Sequence, residues 1–151
     1  MLSTRLVELI ETHWEEIGDR LIRAIRQHPE MPHLASCPDM ELREWCQEIL
    51  EHLGYLLAAS KDEDVKRRFE ILGRLRYEEN IPLSEAVLRC HLLNDKIIGF
   101  VHEQGFPLTM LQLYAEEELE HRMSRFFDSV VYYLVRGYEQ ARSVAQRVAA
   151  M

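Results

Sequence analysis

Histidine offers this chain its widest choice of chemistry, because an imidazole ring can bind a metal, ligate a haem iron or transfer a proton. The sequence contains seven histidines. Carboxylate di-metal bundles combine two Glu-x-x-His turns with two further glutamates that point inward. Within the predicted helices only Glu118 and His121 have that spacing, and the glutamates around them are more simply a solvated helix face. We therefore predict no metal site.

A haem site needs one well-placed histidine inside an apolar pocket. His91, which stands beside Cys90 and among leucines, is the first candidate for cofactor binding, and His52 is the second. The simpler interpretation is that each histidine is bonded to a neighbour or lies on an exposed edge. His91 would also suit a phosphotransfer bundle, but that role needs an exposed ring and the surrounding helix looks central. We predict no cofactor, with haem as the alternative.

The sequence lacks the residue patterns that usually activate a catalytic nucleophile. Ser84, Ser124 and Ser129 lie in helical patterns, without the strand–turn–helix elbow that exposes a catalytic serine. Cys90 and His91 are adjacent, and adjacent residues of a helix point about 100° apart. The glycines are scattered and form no phosphate-binding loop. We expect a protein that is not an enzyme.

Composition and charge exclude several other classes. A chain of 151 residues, 47% of them apolar, fits one domain with a real core. The net charge of −8 disfavours nucleic acid or an anionic membrane as a partner. No apolar run reaches the roughly 18–20 residues of a membrane span. Three cysteines without Cys-x-x-Cys spacing predict neither a disulfide framework nor a zinc site, and they fit a reducing cytoplasm.

Hydrophobic periodicity predicts an all-α bundle of five helices joined by short gaps. The expected bounds are 3–27, 40–59, 63–79, 83–104 and 109 to the end of the chain. His28-Pro29 stops the first helix, Pro82 suits the start of the fourth, and Thr109 with Gln112 forms a capping box for the fifth. The fourth helix is apolar on nearly every side, so other helices must wrap it.

The fifth helix is the longest, because no breaker follows its capping box. About 40 residues at about 1.5 Å each give roughly 60 Å, more than the diameter of one such domain. Its apolar residues alternate steps of four and three, as in a coiled coil, although a helix packed on a core often looks similar. They are Met123, Phe127, Val130, Leu134, Gly137, Ala141, Val144 and Val148.

The character of this apolar pattern changes near Tyr138, from bulky side chains to small ones. We therefore divide the chain into a helical domain, 1–138, and a C-terminal extension, 139–151. The extension is expected to serve as a dimer seam or as a rod to another domain. The residues assigned to this dimer or signalling seam are Phe127, Val130, Leu134, Ala141, Val144 and Val148.

Two polar features leave alternatives open. The basic stripe from Lys66 to Arg76 is interrupted by Glu70 and is either a solvated face or a surface for an acidic partner. Within it, Arg74 and Arg76 are placed to pair with Glu78, Glu79 or Glu85. Asn94 falls on an apolar stripe of the fourth helix, where it either fixes helix packing or lines a small ligand pocket.

Several short elements of the chain occur together in one known family. They are His28-Pro29 after the first helix, Gly73, Arg74 and Arg76, then Ile81, Leu83 and Glu85, and finally Phe127, Asp128 and Tyr132 in the last helix. In these elements the chain resembles the RsbR-type N-terminal sensor domains, the RsbRD N-terminal family. The resemblance covers nearly the whole chain.

This resemblance implies a globin-like fold, usually without haem, and a dimer that signals through its C-terminal helix. Such domains precede STAS domains or histidine kinases in bacterial signalling and have no catalytic residues. We therefore expect a cytoplasmic, non-enzymatic sensor or regulatory domain that is homodimeric through its fifth helix. A haem- or small-ligand-binding globin-like protein is the alternative. Because no output domain follows, the chain is expected to be either part of a longer protein or a single-domain relative that binds a partner.

Overall fold

In the computed structural model, the described residues are 2–59, 61–104 and 109–151, and they form eight α-helices without a strand among them. The all-α class is thereby confirmed. The helices are α1 (Leu2–Thr12), α2 (Trp14–Gln27), α3 (Pro32–Ala35), α4 (Asp39–Leu50), α5 (Leu53–Ala58), α6 (Glu63–Glu78), α7 (Leu83–Glu103) and α8 (Met110–Ala149). The predicted ends at Ser60 and at 105–108 lie outside the described residues.

Two of the predicted helices are each divided at a histidine. His13 separates α1 from α2 with φ −104° and ψ 26°. Its ring Nδ1 lies 2.9 Å from the Leu9 carbonyl oxygen, which also accepts the His13 amide. A side chain that shares a backbone acceptor in this way bends a helix locally. His52 separates α4 from α5 with φ −118° and ψ 24°, and the Gly54 amide at the start of α5 donates to Glu11 of α1 at 3.1 Å.

The expected loop after His28-Pro29 contains the single turn α3. Its backbone amides at His33 and Leu34 donate to the carboxylate of Glu85 at 3.3 and 2.9 Å. Glu85 is buried on α7, so its charge needs such donors to compensate for lost water. The carboxylate therefore fastens α3 to the central helix, and it is not used by Arg74 or Arg76.

The central position predicted for the fourth helix is found in α7, which packs against α8, α2, α1 and α6. Its buried apolar residues are Ala86, Cys90, Leu93, Ile97, Phe100 and Val101. One narrow side nevertheless reaches solvent at Ser84, His91 and Asp95. The helix is thus wrapped less completely than its composition suggests.

The most extensive contact between helices joins α6 and α8. Two glycines make it possible. A Cβ atom on Gly73 would lie 2.0 Å from the Leu134 carbonyl oxygen, and one on Gly137 would lie 1.9 Å from the Glu70 carbonyl oxygen. Because neither position has room for a side chain, the two backbones touch directly.

Tyr138, one residue beyond this crossing, ties α8 to the turn between α6 and α7. Its hydroxyl donates a buried hydrogen bond of 2.8 Å to the Ile81 carbonyl oxygen. Its ring stands edge-on to Tyr77 at 5.4 Å. The turn itself passes through Asn80, whose φ of 60° is one that asparagine tolerates better than most residues. The crossing and the tyrosine therefore fix α8 where it leaves the core.

Candidate functional site

The predicted seam of α8 begins inside the core. Phe127, Val130 and Leu134 are all buried by the chain's own helices, and the Phe126 ring stands edge-on to Phe127 at 5.2 Å. A side chain already covered within its own fold is not available to a second chain. These three residues therefore belong to the core of the chain's own fold.

The later part of the seam is uncovered. Val144 is 57% exposed and Val148 is 65% exposed, and Ala141 is half-buried. Residues 139–149 continue the same helix past Tyr138 for roughly 17 Å, at about 1.5 Å per residue. An unbroken helix thus joins the core to an apolar stripe at the surface.

This exposed stripe borders a groove of about 610 Å³ between α8 and α6. Its apolar lining comes from Ile71 on α6 and from Ala141, Val144 and Ala145 on α8. The groove is also lined by charged residues of α6, namely Arg67, Glu70, Arg74 and Glu78. Ile71 is itself exposed, so the apolar surface spans both helices.

The two histidines considered as haem ligands lie at the surface. His91 occupies the narrow exposed side of α7, and His52 is exposed at the break between α4 and α5. Neither ring is enclosed by apolar side chains, so their placement gives the haem alternative no support. Glu118 and His121 are exposed as well. Among the residues that the structure describes, no three His, Cys, Asp or Glu side chains are grouped to hold a metal ion.

The cysteines are not activated nucleophiles. Cys46 and Cys90 are fully buried, and burial raises the pKa of Cys46 to about 12 and that of Cys90 to about 11. Burial also raises the pKa of the half-buried Cys37, with a further contribution from Glu41. Because the thiolate is the reactive form, the raised pKa values disfavour nucleophilic chemistry at these cysteines.

A second depression, of about 580 Å³, lies among α3, α4, α6 and the turn before α7. We call it the Trp45 depression. Its lining residues are His33, Cys37, Glu41, Glu44, Trp45, Glu48, Arg76, Glu79 and Ile81. Most of them are polar, although α4 and α6 present apolar faces to the core.

Arg89 of α7 lies against the Trp45 ring, with its guanidinium carbon 4.1 Å from the ring centroid. The residue is only 3% exposed. Its Nε and Nη2 atoms are buried and have no hydrogen-bond partner among the described residues. Burial, with a smaller contribution from the charge of the neighbouring Arg76, lowers the pKa of Arg89 to about 10. The cation is held in an environment that opposes its charge.

Arg76 differs from the rest of the basic stripe because its side chain, like that of Arg89, is mostly buried. Arg74 pairs with Glu78 at 3.8 Å on the surface, as predicted. Arg76 pairs with Glu79 at 3.3 Å, also as predicted, but its side chain is only 14% exposed. Its Nε atom is buried and unpaired within the part of the chain that the structure describes. Arg67, Arg68 and Arg74 are exposed, whereas Arg76 turns toward the Trp45 depression.

Sequence reasoning missed Arg89, although a signal was present. Glu85 and Arg89 stand four residues apart on a helix that is apolar on nearly every side. A pair with that spacing normally forms an ion pair on a solvated face. Here both residues are buried and each faces a different neighbour, Glu85 the amides of α3 and Arg89 the ring of Trp45. Asn94 is half-buried, and its Oδ1 is also without a partner among the described residues.

No helix in the described ranges is both long and apolar enough to cross a membrane. A scan against protein-family models, a search of curated proteins and a search of solved structures each found no match to the chain.

Proposed function

We propose that this chain is a non-enzymatic sensor or regulatory domain that forms a parallel homodimer and signals through α8. The observation that carries the proposal is the continuity of α8. One helix, Met110–Ala149, supplies buried core residues up to Tyr138 and then an exposed apolar stripe. A change in the packing of the core can therefore reach the stripe without crossing a flexible joint.

The point where α8 leaves the core is firmly held, which transmission of a signal requires. Gly73 and Gly137 bring the backbones of α6 and α8 into direct contact. The Tyr138 hydroxyl fixes the same point to Ile81. Closely packed helices have discrete arrangements and do not deform continuously. A shift of α6 or of the turn after it would therefore move the exposed end of α8.

The dimer contact is proposed along Ala141, Val144 and Val148, extended by Ile71 across the α6–α8 groove. A stable interface buries about 800 Å² per partner. The short stripe of α8 is too narrow to supply that area by itself, so the walls of the groove belong to the contact. A parallel arrangement places both C-termini on one side, where an output domain or a partner protein of the STAS or kinase type can receive the signal.

The family and the finer fold are part of the same proposal. Joining α1 to α2 and α4 to α5 across the bends at His13 and His52 leaves five long helical units and the short α3. We propose that these five units are arranged as in a globin-like sensor domain of the RsbR type. The cytoplasmic and bacterial setting comes with that resemblance.

Sedimentation velocity tests the dimer. The wild-type chain is expected to sediment as a dimer at micromolar concentration, and Val148→Asp as a folded monomer, because a charge in an apolar seam loses its water. Gln146→Asp is the matched control, since Gln146 is exposed and lies on the opposite side of α8 from Val148. A wild-type monomer, or equal dissociation of both variants, would contradict the proposal.

The alternative function, a haem-binding globin-like protein, has its own test. Haem bound through His91 or His52 would give a Soret absorption band that the His91→Ala or His52→Ala variant loses. We expect no such band after haem is added, because both rings are exposed and lack an apolar enclosure.

A further inference from the structure

We propose that Arg76, which lines the Trp45 depression, and Arg89, which is buried behind that lining against the Trp45 ring, bind the oxyanion group, a carboxylate or a phosphate, of a small molecule that enters the depression. The proposal deepens the proposed function by naming the ligand that such a domain would detect. Binding itself is independent of that function. Only the last step, from the occupied site to α8, rests on it.

The charge of Arg89 is not matched by an acidic side chain among the described residues. A buried guanidinium is tolerated when a carboxylate or several acceptors compensate for the lost water. Within the described ranges no carboxylate lies within 4.0 Å of Arg89, and its Nε and Nη2 have no acceptor. Glu85, the closest acid along α7, is bonded to the amides of α3 instead. No acidic side chain of the described residues therefore compensates for the charge of Arg89.

Arg76, whose charge acts on Arg89, also has a guanidinium that is incompletely paired. Its Nε is also buried and unpaired, while its Nη2 keeps a single contact with Glu79 at 3.3 Å. Burial is the main cause of the lowered pKa of Arg89, and repulsion between the two guanidiniums lowers that pKa as well. An anion bound by both would remove that repulsion. Guanidinium groups pair with carboxylate and phosphate oxygens through parallel hydrogen bonds, which makes these two groups the natural ligands.

The Trp45 depression has a size and a lining that suit a small molecule. A volume of about 580 Å³ falls within the range of small-molecule sites. The Trp45 ring offers an aromatic surface for the apolar part of a ligand. Glu41, Glu44 and Glu48 line the outer part of the depression and are exposed. These carboxylates repel molecules with several negative charges, so a ligand with one oxyanion group fits better than a nucleotide.

The depression also touches the point where α8 leaves the core. Ile81 lines the depression, and its carbonyl oxygen accepts the hydroxyl of Tyr138. Arg76 is placed five residues before Ile81, and the Ile81 amide donates to the Arg76 carbonyl oxygen at 3.0 Å. A ligand that draws Arg76 inward would therefore act on the turn that holds Tyr138.

Thermal unfolding in the presence of defined anions tests the site. The probes are acetate, succinate and inorganic phosphate, each titrated at constant ionic strength with chloride as the reference. The expected result is a saturable rise in the Tm of the wild-type chain with at least one probe, because a ligand that binds only the folded state stabilises it. A preference among the probes would identify the oxyanion as carboxylate or phosphate.

Three variants locate the effect. Arg76→Gln and Arg89→Met are expected to lose the anion-dependent rise in Tm. Arg74→Gln, which removes an exposed arginine from the same helix as Arg76, is expected to keep it. Without ligand, Arg89→Met should unfold at the same temperature as wild type or higher, since an apolar side chain of similar size replaces an unpaired buried charge. Should Arg89→Met fail to fold, Arg76→Gln still decides the test.

The Glu79→Gln substitution should strengthen anion binding, whereas the arginine substitutions should weaken it. It removes the acid that competes with the ligand for Arg76, so anion binding should tighten by about two- to fivefold. The proposal is overturned if no probe raises the wild-type Tm above the chloride reference. It is also overturned if Arg76→Gln keeps the rise, or if Arg74→Gln loses it equally.

The site and the proposed function can fail separately. A chain that binds an anion but sediments as a monomer would refute the signalling dimer and leave the site standing. A dimer whose Tm responds to no anion would refute the site and leave the dimer standing.

Discussion

The two parts of α8 on either side of Tyr138 carry the same apolar spacing but differ in what they contact. Before Tyr138, Phe127, Val130 and Leu134 are covered by the fold itself. After it, Val144 and Val148 are exposed. Spacing alone thus does not separate a helix face that packs in its own core from one left for a partner. The volume of the side chains distinguishes the two faces, since the large residues lie in the first part.

The strongest contrast should come from a charge placed in the first part. Phe127→Asp buries a carboxylate where Phe126 and the core leave no water, at a cost of more than about 4 kcal/mol. Because a domain of this size has only about 5–15 kcal/mol of stability, we expect loss of the folded state. Circular dichroism and urea unfolding measure it. A folded Phe127→Asp protein with unchanged stability would contradict the division at Tyr138.

The helix crossing beneath Tyr138 should be nearly as sensitive. Gly137→Ala places a methyl group 1.9 Å from the Glu70 carbonyl oxygen, so α6 and α8 must separate, which should cost about 3 kcal/mol. Gly99→Ala is the control, because a Cβ there meets nothing within 4 Å. That change should stabilise α7 by about 0.5–1 kcal/mol through helix propensity. Equal effects on urea unfolding would disprove the close crossing.

Removal of the Tyr138 hydroxyl should have an intermediate effect. Tyr138→Phe leaves the buried Ile81 carbonyl oxygen without its donor, which should lower the free energy of unfolding by about 1–2 kcal/mol. Tyr132→Phe is matched to it, since Tyr132 is also on α8 but exposed. If the two variants unfold at the same urea concentration, the hydrogen bond does not hold α8.

The smallest effect on folding is expected beyond Tyr138. Val148→Asp lies at an exposed position, so the stability of the monomer should change by less than about 0.5 kcal/mol. Unfolding measured at a concentration where the wild type is also monomeric isolates this value. A large loss of stability would mean that the extension belongs to the core and not to a seam between protomers.

Much of this fold follows from the sequence, because its helices have clear periodicity and end signals. The capping box at Thr109 and Gln112 is formed through both hydrogen bonds, and α8 begins where it predicts. The bends at His13 and His52 could not be foreseen, since each depends on the local backbone angles of a residue within a helical pattern. The short α3 depends on Glu85, which is distant in the sequence.

The candidate sites were less predictable than the helices. Periodicity located the stripe on α8 but not the groove beside it, which needs Ile71 of α6. The sequence did not predict the position of Arg89, because the pattern of a helix that is apolar on nearly every side does not show which neighbouring helix each of its few polar residues contacts. For the same reason the sequence could not show that His91, on this central helix, is exposed. Both outcomes depend on the rotation of α7 within the bundle, which only tertiary packing determines.

Disulfide cross-linking at the end of α8 tests the parallel dimer most directly. Two cysteines can join only when their Cα atoms approach within about 7 Å, so Val148→Cys reports whether two copies of this residue face each other. The account predicts a covalent dimer from Val148→Cys under oxidising conditions and none from Gln146→Cys, with the native cysteines present in both. No cross-link at Val148, or equal cross-linking at both positions, would contradict the proposal that α8 is the seam of a signalling dimer.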